Sequence, residues 1–268
     1  MKFSVLMTIY IKDNPIYLYK ALLSIIKQTL VPTEIVIVKD GAVTDSILKV
    51  LEKAKTKHNN IKIISLEENK GQSKALNQGL LNCSYDLVAR MDSDDVSTKR
   101  RFELQIDAFN KDYSIDAVSG TTEDFSSDGK KYGRRVLPQG GEELYQFSKK
   151  RSPLNHGAVM YKKEKVLEVG GYKKFIQVQD YILWADMLAN NCKFYNLKEI
   201  LLKVRVDDEY SRKGTKNYIK EEILLQKYLC KKDIISRFEM YKNILMKIGV
   251  RIFPKPILLY IYQKFLRS

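Results

Sequence analysis

The chain has 268 residues, 44% of them hydrophobic, which excludes global disorder and leaves room for one large domain with an extension. Three scattered cysteines, Cys83, Cys192 and Cys230, fit neither a disulfide framework nor a metal cluster, and point to a reducing cytoplasm. The net charge of +15 is uneven: residues 212–268 hold 14 Lys and Arg against 4 Asp and Glu, so two thirds of the excess lies in the last fifth of the chain.

The N-terminus, MKFSVLMTIYIKD, has no apolar signal-peptide core and runs straight into a strand pattern, Phe3–Tyr10. Asp13-Asn14-Pro15 breaks it, and Pro15 suits a first helical turn. Leu18, Leu22, Ile25 and Ile26 then fall at helical spacing within Tyr17–Gln28. Glu34–Val38 is a second buried strand, closed by Lys39-Asp40-Gly41. A helix over Ser46–Lys57 and a strand at Ile61–Leu66 follow. Two successive strand–helix–strand units predict a parallel sheet with crossover helices. After a helix at Gln72–Leu81, a fourth strand, Tyr85–Met91, runs into Asp92-Ser93-Asp94-Asp95.

Tyr10, Asp40 and Asp92 thereby converge on the carboxyl edge of one sheet, where open α/β sheets bind ligands. Crowded carboxylates repel, and a hard divalent cation such as Mg²⁺ or Mn²⁺ relieves the repulsion and bridges to phosphates. The plain alternative is a solvated acidic turn capping the next helix, Lys99–Lys111. A strand at Asp116–Ser119 precedes Glu123–Gly141, which is polar, contains glycine and reads as a surface excursion. A helix at Glu142–Lys150, a loop through Arg151–Gly157 and a strand at Ala158–Tyr161 come next. A short helix, Lys163–Val169, ends at Gly170-Gly171, and Gln179-Asp180 opens a helix over Tyr181–Asn190.

Six landmarks in this order, SVLMTIY, EIVIVKDG, NKGQSKALNQGL, ARMDSDD, NHGAVMYKKEKVLEVGGY and QDYILW, resemble family 2 glycosyltransferases from about Phe3 to Asp208. The finer likeness is to bacterial enzymes that build capsular, exopolysaccharide and O-antigen repeat units, amylovoran among them. The resemblance implies the GT-A fold, a Rossmann-like three-layer α/β fold with a mostly parallel central sheet. It divides the chain into a catalytic domain, residues 1–210, and a basic amphipathic helical extension, residues 211–268. It further implies a UDP-sugar donor, an inverting transfer, a divalent cation (Mn²⁺ or Mg²⁺), and an acceptor saccharide linked to undecaprenyl diphosphate.

Matched residue by residue, Thr8 and Tyr10 line the donor base, and Asp40 accepts from the uracil N3–H. Asp92 lies near the ribose, Asp94 holds the metal, Lys74 faces the diphosphate, and Asp180 is the catalytic base. His156, Gln179, Trp184 and Arg212 are candidates for contact with acceptor or diphosphate. Structural roles compete for each: a satisfied histidine, a packed tryptophan, a solvated basic loop shared with Arg205 and Lys213, and a helix N-cap for Asp180. Two positions depart from the family pattern, Lys39 before Asp40 and Gln179 before Asp180, both often acidic in relatives.

Asp92-Ser93-Asp94-Asp95-Val96 also fits the DxDx[TV] pattern of haloacid-dehalogenase-type phosphatases, but that motif normally follows a first strand. A nucleic-acid binder is the reading the charge alone suggests, yet the basic excess lies outside the α/β body and no recognition motif accompanies it. Tyr218–Leu229 and Ile244–Leu266 interleave apolar residues with Lys and Arg, and Ile257–Leu266 is too short to span a bilayer. Peripheral attachment to the anionic inner face of the cytoplasmic membrane is the expectation; a bundle packed on the catalytic domain is the alternative.

Overall fold

The computed structural model describes residues 1–175, 178–206 and 216–251. Its first half alternates strands and helices: β1 (Phe3–Ile9), α1 (Pro15–Ile26), β2 (Glu34–Lys39), α2 (Asp45–Lys57), β3 (Ile61–Ser65), α3 (Gln72–Asn82) and β4 (Leu87–Met91). Asn14 caps α1 by accepting from Ile16 N–H and Tyr17 N–H, and Pro15 takes the first turn, where its missing N–H costs nothing. The four strands are parallel in the order β3-β2-β1-β4. Ile9 pairs with Lys39, so β1 and β2 end level, and Met91, the last residue of β4, pairs with Met7 two residues short of that end, so Tyr10, Asp40 and Asp92 leave the sheet at one edge. The expected convergence is therefore present.

Alternation along these strands sorts side chains onto two faces. Val5, Met7, Ile9, Ile35 and Ile37 join one core with α1 and α2; Leu6, Val36 and Val38 join another with α3.

The second half departs from expectation. It comprises β5 (Val96–Ser97), α4 (Arg101–Lys111), β6 (Ala117–Phe125), β7 (Lys131–Arg135), α5 (Gly141–Ser148), a 3₁₀ turn (His156–Ala158), β8 (Met160–Lys162), α6 (Lys163–Glu168), α7 (Gln179–Ala189) and β9 (Phe194–Arg205). The short β8 sits antiparallel between β4 and β6, and β9 lies parallel to β6. Glu123–Gly141 is not a simple surface excursion, because β6 runs on to Phe125 and pairs with β7 as a hairpin. Polar Ser119, Thr121, Thr122, Glu123 and Asp124 are buried there because β9 flanks the strand.

Two further helices, α8 (Lys216–Lys231) and α9 (Arg237–Arg251), follow. α8 packs on α7: Leu225 and Leu229 share a third core with Tyr181, Ile182 and Ala185, joined by Ile234 and Ile235. Helix α7 is thus buried on both sides, Leu183, Trp184 and Met187 facing the sheet and Tyr181, Ile182 and Ala185 facing α8. No helix among the described residues is long and apolar enough to cross a membrane.

Candidate active site

On the β1–β2 side of the rim, Thr8 is half-buried and Tyr10 keeps 40% exposure, leaving ring surface for a flat ligand. Asp40 is buried and already engaged: its two oxygens accept from Lys70 N–H (2.7 Å) and Gly71 N–H (3.0 Å). It therefore fixes the loop that leads into α3. Each oxygen keeps a second lone pair, so this does not prevent acceptance from a ligand. Gly41 adopts φ +82°, and a Cβ there would lie 2.7 Å from Asn69 N, so the Asp-Gly turn admits that loop only with glycine. α3 begins at the same rim without a side-chain cap, and Lys74 is exposed on its first turn. Free N–H groups and a lysine together make this end of the rim electropositive.

The acidic loop after β4 is organised by an arginine that the sequence reading gave no role. Arg90 is almost completely buried and forms an ion pair with Asp92. Burial alone would raise the Asp92 carboxyl; the Arg90 guanidinium outweighs it and holds Asp92 below the ordinary range. Arg101, also buried, braces this from behind by donating to Arg90 O at 2.6 Å.

Asp13 is a fourth carboxylate in the cluster. It accepts from Tyr10 N–H (3.1 Å) and Ser93 Oγ (3.0 Å). Burial, with Asp92 adding, pushes it up to about 6, against those hydrogen bonds. Asp94 projects to solvent, but burial of its inner side and repulsion from Asp92 and Asp13 push it up to about 6 as well. Asp95 is buried and pushed well up by burial and by Asp92 and Asp94; its Oδ1 accepts from Arg205 N–H at 2.9 Å. Gly157 presses on this loop. A Cβ there would lie 2.8 Å from Asp92 Oδ2 and 3.2 Å from Asp95 Oδ2, so the 3₁₀ turn approaches only because the residue is glycine. Asp13 was legible in principle, since it follows β1 at the edge already marked by Asp40 and Asp92.

Opposite, Asp180 is half-buried in the first turn of α7. Burial raises its carboxyl, while Tyr181 N–H and Arg135 oppose the rise, so it is a stronger base than an ordinary aspartate. No side chain caps α7, whose N-cap position is Val178, so Asp180 is not the N-cap. Gln179 is buried, accepting from Ser73 Oγ at 2.6 Å and donating to Gln72 Oε1. This corrects the expectation of acceptor contact: the side chain ties α7 to α3 and so fixes where Asp180 stands. Trp184 needs the same correction. It is fully buried among Tyr161, Phe194 and His156, and presents no face to a sugar.

His156 shares a hydrogen bond with Tyr172 OH at 3.0 Å, and burial together with Arg90 pushes the imidazole down to about 3. Tyr172 is held by a two-way pair with Asn77, accepting from Asn77 Nδ2 (2.8 Å) and donating its N–H to Asn77 Oδ1 (2.8 Å). Arg205 is spent on structure: it donates to Asp94 O (3.1 Å) and Ser127 Oγ (2.9 Å), and stacks on Tyr17 with its guanidinium carbon 3.9 Å from the ring centre. Arg212 and Lys213 lie outside the described residues.

The model of the family described as Glycosyl transferase family 2 matches residues 4–170, more than half of the chain. The chain belongs to glycosyltransferase family 2. It is 39% identical over 99% of its length, and 97% of the relative, to the UDP-Gal:alpha-D-GlcNAc-diphosphoundecaprenol beta-1,3-galactosyltransferase of Escherichia coli. It is 34% identical, over 98% of each chain, to the amylovoran biosynthesis glycosyltransferase AmsE of Erwinia amylovora. In fold it is similar to residues 1–349 of TarS of S. aureus, solved with UDP-GlcNAc, at a TM-score of 0.68 and 20% identity, covering 94% of this chain and 73% of that one. The GT-A fold and transferase activity expected from the six landmarks are thus shown, and family 2 membership sets the phosphatase and nucleic-acid readings aside.

Proposed function

We propose that this glycosyltransferase moves a hexose or N-acetylhexosamine from a UDP-sugar to a hydroxyl of a saccharide linked to undecaprenyl diphosphate, in bacterial surface polysaccharide synthesis. The observation that carries this is the end-to-end 39% identity to a galactosyltransferase that uses UDP-Gal and a diphosphoundecaprenol-linked acceptor. We read the chain as a catalytic domain to residue 210 and an extension packed on it, in the cytoplasm and peripheral to the inner face of the membrane.

In this reading Tyr10 and Thr8 hold the uracil ring and Asp40 accepts its N3–H. Asp92, kept ionised by Arg90, accepts from the ribose, and Lys74 with the α3 N-terminus faces the diphosphate. Among the described residues no three His, Cys, Asp or Glu side chains form a metal cage. The oxygen donors nevertheless suit Mg²⁺ or Mn²⁺, which takes one or two carboxylates and fills its other positions with phosphate and water. Asp94 is the ligand that fits best, because its carboxylate reaches solvent at the rim. A cation bound there supplies Lewis-acid stabilisation of the departing UDP.

Asp180 accepts the proton of the acceptor hydroxyl as its oxygen attacks the anomeric carbon opposite the diphosphate, inverting that centre. Its raised affinity for a proton suits the role. His156, neutral above about pH 3, lies between the acidic loop and the Asp180 helix and is available to an acceptor hydroxyl or the diphosphate only as an uncharged partner. The test is a UDP-sugar hydrolysis panel, followed by transfer to a lipid-diphosphate-sugar acceptor with the wild type and Asp180→Asn. The variant should keep donor binding and lose roughly 100-fold or more in turnover. Near-normal transfer, or a product retaining the donor's anomeric configuration, removes Asp180 from the mechanism.

A further inference from the structure

Helix α9 presents a face that the catalytic reading does not use. Phe238, Tyr241 and Leu245 are 77%, 63% and 72% exposed, at spacings of three and four residues that place them in one stripe. Soluble surfaces rarely line up three large apolar side chains this way. The helix is held by its opposite side. There Asn243 is buried and donates to Lys149 O (2.9 Å) and Gln226 Oε1 (3.0 Å), Met240 packs on the third core, and Lys247 pairs with Glu222. The stripe is therefore left over after α9 has docked, rather than a core face awaiting the domain.

Its flanks are basic. Exposed Arg237 and Lys242 border the stripe on its two sides, with exposed Met246 beyond. On α8, exposed Lys220, Leu224, Lys227 and Lys231 form a second stripe. Among the described residues of α8, α9 and the turn between them there are four acids: Asp233 in the turn is exposed, Glu221 is half-buried, Glu222 is buried and Glu239 is paired with Lys149. An apolar crest with cationic borders and few exposed acids matches the headgroup layer of an anionic bilayer. There the crest enters the acyl boundary while Lys and Arg reach phosphates along extended stems.

We propose that this face of α9, with Phe238, Tyr241 and Leu245 at its crest, is the docking surface of the enzyme on anionic phospholipid membranes. The inference deepens the lipid-linked-acceptor reading and rests on it only for the purpose of docking. α8 and α9 pack on α7, which carries Asp180, so a docked α9 fixes the height of the catalytic carboxylate above the lipid plane. The docking face differs from the sequence-stretch expectation in that Phe238 and Tyr241 precede Ile244; Ile257–Leu266 lies outside the described residues.

The experiment is co-sedimentation of the full chain with phosphatidylcholine vesicles, with and without phosphatidylglycerol. It compares the wild type, Phe238→Ser/Tyr241→Ser/Leu245→Ser and Arg237→Glu/Lys242→Glu, with melting curves and UDP-sugar hydrolysis measured on each. The wild type should bind only the anionic vesicles. The apolar variant should lose at least about tenfold in partitioning with unchanged melting and hydrolysis. The charge variant should lose binding most at low salt. Equal vesicle binding by wild type and apolar variant, no vesicle binding by the wild type, or an apolar variant that converts a dimer to a monomer without changing vesicle binding would each overturn the proposal. Hydrolysis lost in every protein while vesicle binding behaves as stated would remove the catalytic reading and leave the docking surface standing.

Discussion

Replacing Asp186 by alanine is the sharpest test of how the C-terminal helices serve the active site. Asp186 lies on α7, six residues after Asp180, and is 1% exposed. Its Oδ1 accepts from Tyr228 OH at 2.7 Å and pairs with Lys232 Nζ at 2.9 Å; its Oδ2 pairs with Lys173 Nζ at 2.6 Å. Tyr228 and Lys232 come from α8 and the turn after it, so one buried carboxylate joins the extension to the helix that carries Asp180. Breaking a fully buried pair costs about 3–5 kcal/mol, because a charge is stranded away from water. Here the stranded partners are the lysines, whose side chains are 37% and 32% exposed and regain water on mutation. The cost should therefore fall to about 2–3 kcal/mol, most of it from lost charge-assisted hydrogen bonds. For a chain of this size that lowers the melting temperature by about 4–12 °C. Amide hydrogens of α8 should exchange faster, and turnover should fall with little change in UDP affinity, since the donor rim does not touch this joint. Asp186→Asn, which keeps the shape and loses the charge, should fall between. A melting temperature within about 1 °C of wild type, with α8 still protected, would refute the coupling.

Four further outcomes are expected. Asp94→Asn, or excess EDTA on the wild type, should abolish transfer while the melting curve in the absence of divalent cation stays the same or rises; full activity in EDTA would exclude a cation role. Asp40→Ala should weaken UDP by roughly 1–3 kcal/mol and also destabilise the fold, because the Lys70 and Gly71 N–H groups lose their acceptor; equal affinity of the wild type for UDP and GDP in calorimetry would count against its role in base recognition. Asp13, raised from 3.8 to about 6, keeps its proton in the folded chain where the unfolded chain has lost it, so its contribution to stability is greatest below pH 3.8 and falls as pH rises to about 6. Asp13→Asn should then gain nothing near pH 3.5 and at most about 3 kcal/mol at pH 7, read from denaturant midpoints across pH; a gain independent of pH would refute the burial argument. His156 runs the other way: lowered to about 3, it stays neutral while the unfolded chain protonates, so stability rises with pH between about 3 and 6.5.

The sequence by itself determined the parallel half of the sheet and the rim. There each strand is a short apolar run, each crossover helix shows a 3.6-residue period, and Asp40 and Asp92 follow parallel strands that end within two residues of one another at one edge. These signals are local, and hydrophobic alternation carries them. Only the tertiary structure decided the rest. Strand β6 reads as polar, and Ser119, Thr121, Thr122 and Asp124 are nevertheless buried because β9, some seventy residues later in the chain, flanks the strand along its whole length. Gln179 and Trp184 share a helix with Asp180, but that Asp180 alone of the three stays partly exposed depends on α3, β8 and α8 closing around that helix. Asp13 and Arg90 join the acidic loop because the turn after β1 and the β4 interior meet there. Burial and charge pairing at that meeting, which no local pattern encodes, set which carboxylates hold protons.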